Sequence, residues 1–76
     1  MTEDLDATGL LCPLPVLKLR KRLQGVAAGD CVRLRADDPA AIVDVPHFCA
    51  ESGHELVETG AEGDVQVYLV RRVAKY

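Results

Sequence analysis

The sequence has no tryptophan, one phenylalanine and two tyrosines, so aromatics make up only 4% of its 76 residues. A core must be assembled from Val, Leu and Ala, which are present in sufficient number to fold without staples. Positive charge is not in excess. Nine Lys and Arg against 12 Asp and Glu leave a formal net charge of −3, which argues against a general nucleic-acid binder. No apolar run approaches the length of a membrane span. The start, Met1-Thr2-Glu3-Asp4-Leu5, is acidic and lacks the basic, apolar and cleavage regions of a secretory signal, so the expected location is cytoplasmic. The three cysteines, Cys12, Cys31 and Cys49, include no C-x-x-C, which excludes a thioredoxin-type pair and a zinc knuckle. A disulfide framework does not suit a reducing compartment. His47 and His54 are the only histidines, and no acid stands in a triad pattern with them, so hydrolytic chemistry lacks its base. Residues 1–76 suffice for one domain.

What is present is ordered by Gly9-Leu10-Leu11-Cys12-Pro13-Leu14-Pro15-Val16. Two prolines open an apolar-periodic run, and proline is tolerated there only in the first helical turn, where its missing N–H has no partner to lose. Gly9 permits the turn into this segment. A first helix is expected over about 13–24, burying Val16, Leu19 and Leu23, with Leu17 widening the stripe. Lys18, Lys21 and Arg22 share the other side, with Arg20 at the boundary. Before it, residues 5–8 read as a short strand with Leu5 and Ala7 on one face.

Cys31-Val32-Arg33-Leu34-Arg35-Ala36 alternates cleanly, the pattern of a half-buried strand with Val32, Leu34 and Ala36 inward. Asp37-Asp38-Pro39 then offers an aspartate cap with proline at the first helical position. Pro46 lies too deep for a helix begun at Pro39. The pattern therefore predicts a turn over 39–43 and a helix over about 45–52, with Asp44 as a new N-cap and Val45, Phe48, Cys49 and Ser52 inward. Residues 54–59 read as a third strand, 60–64 as a hairpin loop and 65–70 as a fourth, with 71–76 extending it.

The order is βαβαββ. Helix-linked strands run parallel with right-handed crossovers, and the hairpin makes strand four antiparallel to three. The most apolar strand, four, belongs between two and three. The expected architecture is an α/β two-layer sandwich: a four-stranded mixed sheet with two helices on one face. In it the ends of strands one and two share an edge, where open α/β sheets place their sites, and this makes Asp37 and Asp38 neighbours of Cys12.

A cysteine at a helix start lies in the positive end of the helix dipole, which favours thiolate. Pro13 and Pro15 act there by shape, and the N–H groups of Leu14 and Val16 remain to face an anion. With no base assigned, the pattern suits group transfer on Cys12 rather than hydrolysis. Leu10, Leu11 and Leu14 offer an apolar contact to a partner's loop. Lys18, Arg20 and Lys21, with Asp37 and Asp38, are candidate docking residues. Cys49 reads as core and Cys31 as incidental.

These residues resemble a known family. Cys12-Pro13-Leu14-Pro15 matches the C-P-x-P signature of the TusA-like, or SirA-like, sulfur carriers, and Leu5-Asp6-Ala7, Ala36-Asp37-Asp38-Pro39-Ala40, Asp44-Val45-Pro46, Phe48-Cys49 and His54-Glu55-Leu56 follow its pattern along nearly the whole chain. The resemblance implies the βαβαββ fold and a persulfide on Cys12, loaded by a cysteine desulfurase or rhodanese. The sulfur then passes to a downstream relay protein in tRNA 2-thiolation, molybdenum-cofactor or sulfur-oxidation chemistry. It also implies a small, transiently docking and monomeric bacterial carrier without independent turnover, which needs neither a metal nor an organic cofactor. Two alternatives stand beside it: a regulatory binding module in which Cys12 only caps a helix, and a redox sensor in which Cys12 pairs with Cys31 or Cys49.

Overall fold

The computed structural model describes residues 1–73. Six elements follow in the order β1 (Thr2–Asp6), α1 (Leu14–Gln24), β2 (Cys31–Ala36), α2 (Ala41–Ser52), β3 (Glu55–Glu62) and β4 (Val65–Arg71). They form one four-stranded sheet in the order β1-β2-β4-β3. β1 and β2 are parallel, and β4 runs antiparallel to both β2 and β3. The expected strand order is therefore the observed one, with the apolar β4 inside.

Alternation decides which face is covered. Val32, Leu34 and Ala36 of β2 and Val70 of β4 are completely buried. They meet Pro15, Leu19 and Leu23 of α1 and Ala41, Val45 and Cys49 of α2. Both helices thus lie on one face, held by burial of apolar surface worth roughly 25 cal/mol per Å². The opposite face carries Arg33 and Arg35, paired with Asp4 at 3.4 Å and Glu62 at 3.5 Å. These exposed pairs add little stability but keep the open face polar.

Three boundaries and the burial of one residue differ from expectation. β1 begins at Thr2 rather than Leu5, because Thr2 to Asp6 pair in register with Cys31 to Arg35. Backbone pairing holds this polar edge, and no apolar signal announces it. The expected loop over 60–64 shrinks to Gly63-Asp64, since Gly60, Ala61 and Glu62 pair with Val67, Gln66 and Val65. Gly63 takes the positive φ of 62° that this turn requires. Leu17 lies at the surface, and the buried stripe of α1 is instead Pro15, Leu19 and Leu23. β4 ends at Arg71; the expected extension over 71–76 falls partly outside the described residues.

The largest correction concerns α2. It is one helix from Ala41 to Ser52 with Pro46 inside it, not a turn followed by a helix capped by Asp44. The start is wound by the Ala41 N–H to the Asp38 carbonyl at 3.0 Å and the Ile42 N–H to that of Pro39 at 3.2 Å. Pro46 comes early enough that its missing N–H costs one bond near the first turn, while burial of Ala41 and Val45 before it and of Cys49 after it holds the helix on the sheet. Asp44 is thereby moved from a cap to a side chain in the first turn, free to face another element.

Candidate functional site

The site is built where β1 and β2 end together. Asp6, the last residue of β1, accepts both the N–H and the hydroxyl of Thr8, at 2.9 and 2.6 Å. The Thr8 hydroxyl and then its N–H hold this carboxyl below its usual range. The chain turns at Gly9, which has φ 79° and is impractical for other residues in that conformation. The Gly9 N–H donates to the Asp37 carboxylate at 3.0 Å, and the Cys12 N–H donates to Asp38 Oδ2 at 2.6 Å. The expected meeting of Cys12 with the Asp37-Asp38 turn, 26 residues away, is realised as hydrogen bonds between side chain and backbone.

Asp38 has a second task. Its Oδ1 accepts the Ala40 N–H at 3.1 Å, and its carbonyl starts α2. The expected aspartate cap therefore exists in the turn that feeds the helix, although α2 itself carries no side-chain cap on Ala40. Its position is tied into the core by a chain that sequence reasoning did not find. The Tyr68 hydroxyl, on a buried side chain, donates to Gln66 Oε1 at 2.6 Å, and Gln66 Nε2 donates to the Asp38 carbonyl at 3.0 Å. The signal available was the inward parity of residues 66, 68 and 70 on β4.

Cys12 is exposed. It precedes α1 rather than opening it: Pro13, joined through a cis peptide bond, is the N-cap, and Leu14 and Pro15 begin the helix. The Leu14 N–H is engaged by the Leu11 carbonyl at 2.8 Å, so one of the two donors expected to face an anion is already taken. Cys12 Sγ instead donates to Asp44 Oδ2 at 2.8 Å, across 32 residues. The expected thiolate is reversed. The hydrogen bond to Asp44, then partial desolvation, then the charges of Asp44 and Asp38 push the Cys12 thiol above its ordinary range. The carboxylate acceptor acts against the positive end of α1, whose start lacks the N–H groups of Pro13 and Pro15 and has that of Leu14 engaged by Leu11. Asp44 is the functional candidate that local reading missed, because Asp44-Val45-Pro46 looks like a helix start.

Exposed apolar side chains adjoin both Cys12 and Asp44 along the chain and give the site an apolar rim. Leu11 is 71% exposed, Leu14 46%, Ile42 58% and Val43 70%. Leu10 instead packs partly into the core. Of the basic candidates, Lys18 and Lys21 line a shallow depression with Arg22, Glu3 and Leu5 beside β1, while Arg20 borders a different one with Phe48 and His54. His47 pairs with Glu51 at 2.8 Å rather than with Cys12, and His54 Nδ1 accepts the Val73 N–H at 3.2 Å. Cys49 is buried within α2, and Cys31 opens β2. Cys31 thus lies about 20 Å of strand from the edge that holds Cys12, far beyond disulfide reach. Among the described residues no cluster of three or more His, Cys, Asp or Glu side chains is arranged to hold a metal ion, and no helix is long and apolar enough to cross a membrane.

Comparison with known proteins agrees along the chain. The family model described as Sulfurtransferase TusA matches residues 3–72. The Sulfur carrier protein TusA of Pseudomonas paraeruginosa is 43% identical over 70 residues, covering 92% of this chain and 89% of the relative. That of Pseudomonas putida is 41% identical over 70 residues, covering 92% and 88%. The crystal structure of a SirA-like protein from Desulfitobacterium hafniense shares the fold with a TM-score of 0.82 at 22% identity, covering 97% of this chain and all of that one. A four-stranded sheet of order β1-β2-β4-β3 with both helices on one face, and sequence matches spanning nearly its whole length, together assign this chain to the TusA sulfurtransferase family.

Proposed function

We propose that Cys12 carries a sulfane sulfur as a persulfide, accepting it from a donor persulfide and relaying it to an acceptor protein. The observation that carries the proposal is the placement of Cys12 Sγ. It is exposed on a loop held by Asp37 and Asp38, with outward Leu11 and Leu14 beside it along the chain and outward Ile42 and Val43 just before its partner Asp44. A sulfur so presented, without an enclosing pocket, suits exchange between two docked proteins rather than turnover of a small substrate. Persulfide exchange proceeds by thiolate attack on sulfur and needs a donor thiol and an acceptor thiol, not a metal.

The donor is of the cysteine desulfurase or rhodanese type and the acceptor a downstream relay protein. The pathway beyond it is tRNA 2-thiolation, molybdenum-cofactor or sulfur-oxidation chemistry. Three free thiols fit a reducing, cytoplasmic setting, and transient docking fits a monomer. Pro13, Pro15 and Gly9 shape the loop. Leu14 and the apolar rim form the docking contact, with Lys18, Arg20 and Lys21 of α1 and with Asp37 and Asp38 flanking it.

Incubation with a cysteine desulfurase and free cysteine, followed by intact mass measurement, tests the proposal. The wild type gains one sulfur atom and Cys12→Ser gains none. Uptake by Cys12→Ser equal to wild type, or no uptake by the wild type from desulfurase, rhodanese or small-molecule persulfide donors, refutes it.

A further inference from the structure

The contact between Cys12 and Asp44 deepens the carrier reading and rests on it. An empty carrier ends in a thiol, which donates its hydrogen to Asp44 Oδ2 at 2.8 Å. A loaded carrier ends in a persulfide, a stronger acid than the thiol, whose terminal sulfur is anionic near neutral pH and has no hydrogen to donate. The same carboxylate therefore grips one form and repels the other. We propose that Asp44 is a positioning residue that favours the empty form of Cys12 over the loaded form, making the carrier a ready donor of sulfur and a reluctant acceptor.

The surroundings on every side support this polarity. From α2 the sulfur meets Asp44, and from the loop between β2 and α2 it meets Asp38, whose Oδ2 lies on the Cys12 N–H at 2.6 Å. Asp37 is turned to the Gly9 N–H. The nearest histidine on α2, His47, is paired with Glu51. α1 presents its positive end, but Pro13 and Pro15 have no N–H and that of Leu14 is engaged by Leu11, so of the two donors expected to face an anion only the Val16 N–H is left. The charged side chains facing the sulfur are thus acidic, and both raise the cost of an anion there.

The transfer balances without an oxidant or reductant. In loading, Cys12 Sγ bonds to the terminal sulfur of the donor persulfide and the donor's S–S bond breaks. The donor's cysteine sulfur leaves with the electron pair and takes up the proton that Cys12 gave up. Unloading is the same exchange with Cys12 as the leaving sulfur. As that sulfur departs it regains a proton and its hydrogen bond to Asp44, so the carboxylate pulls the exchange toward release. A partner that brings a cation against Asp38 and Asp44 would weaken this pull while docked and so favour loading.

Two measurements on the whole protein test the inference. In the first, the pH dependence of Cys12 alkylation by iodoacetamide is followed. Asp44→Asn lowers its midpoint, whereas Asp44→Glu, which keeps the charge, stays closer to wild type. In the second, the protein is equilibrated with glutathione persulfide and glutathione, and the loaded fraction is read by intact mass. Asp44→Asn raises the ratio of loaded to empty carrier by about three- to tenfold. Glu51→Gln on the same helix leaves both readings unchanged, and melting curves verify that each variant is folded. Equal midpoints and equal ratios in folded wild type and Asp44→Asn overturn the inference and leave the carrier reading intact. Failure of wild type to load from any donor overturns the carrier reading, while the alkylation profile still reports the hold of Asp44 on the thiol.

Discussion

Asp38 joins the sulfur-bearing loop to the start of α2, and its removal has a calculable cost. Asp38→Ala deletes the acceptor for the Ala40 N–H, a capping interaction worth about 1 kcal/mol. It also deletes the acceptor for the Cys12 N–H, worth about 1 kcal/mol more after the exchange with water is counted. The total of about 2 kcal/mol, in a chain of 76 residues, lowers the melting temperature by roughly 8–16 °C. Asp38→Asn keeps one carbonyl oxygen and should lose about half as much. Thermal unfolding by circular dichroism gives the stability term. Hydrogen exchange at the Cys12 amide gives the local one, and it should accelerate in Asp38→Ala by more than the global loss explains, because the loop has lost its tether. A melting temperature within about 3 °C of wild type would show that water replaces both bonds without penalty. A stability loss with no added exchange at Cys12 would show that Asp38 caps α2 and does not hold the sulfur loop.

The remaining predictions concern the frame that holds the site. Leu19 is completely buried between α1 and the sheet. Leu19→Ala should cost about 3 kcal/mol, a large share of the roughly 4–11 kcal/mol expected for a chain of this size; a lower urea midpoint at unchanged slope checks it, and a loss under about 1 kcal/mol would mean the helix collapses onto the gap. Pro46 is exposed within α2, so its ring contributes little packing while its nitrogen leaves the Ile42 carbonyl without a helical donor. Pro46→Ala should stabilise the protein by about 1 kcal/mol in the same assay, and a destabilised variant would mean that proline's stiffening of the unfolded chain outweighs the missing bond.

Much of the fold is legible wherever one signal acts alone. The alternation of Cys31 to Ala36 sets a strand and its buried face without ambiguity, and Leu19 and Leu23 place one face of α1 on the sheet. The apolar content of β4 sends it to the interior, from which the strand order follows. Reading fails where a local signal competes with a distant one. Pro46 and Asp44 together imitate a helix start, but the burial of Ala41 and Val45 carries the helix through. Gly60 imitates a loop, but β4 supplies partners for the backbone on both sides of it. The expected widening of the stripe by Leu17 does not occur, and Leu17 stays at the surface while Pro15 is buried with Leu19 and Leu23.

The candidate site divides in the same way. By itself the sequence determined that Cys12 stands just before a helix opened by prolines, that Gly9 turns the chain into it, and that parallel β1 and β2 bring Asp37 and Asp38 to the same edge. These are consequences of short-range sterics and of chain connectivity, both of which are written in order along the chain. Only the tertiary structure decided that Asp44 accepts the Cys12 hydrogen and that Tyr68 and Gln66 brace Asp38 from below. It also decided that the sulfur faces carboxylates more than a helix dipole. The physical reason is range. A capping or turn preference is settled within four residues. The charge state of an exposed sulfur is settled by whatever side chain the packing of α2 against the sheet places within 3 Å of it, and no local pattern carries that distance.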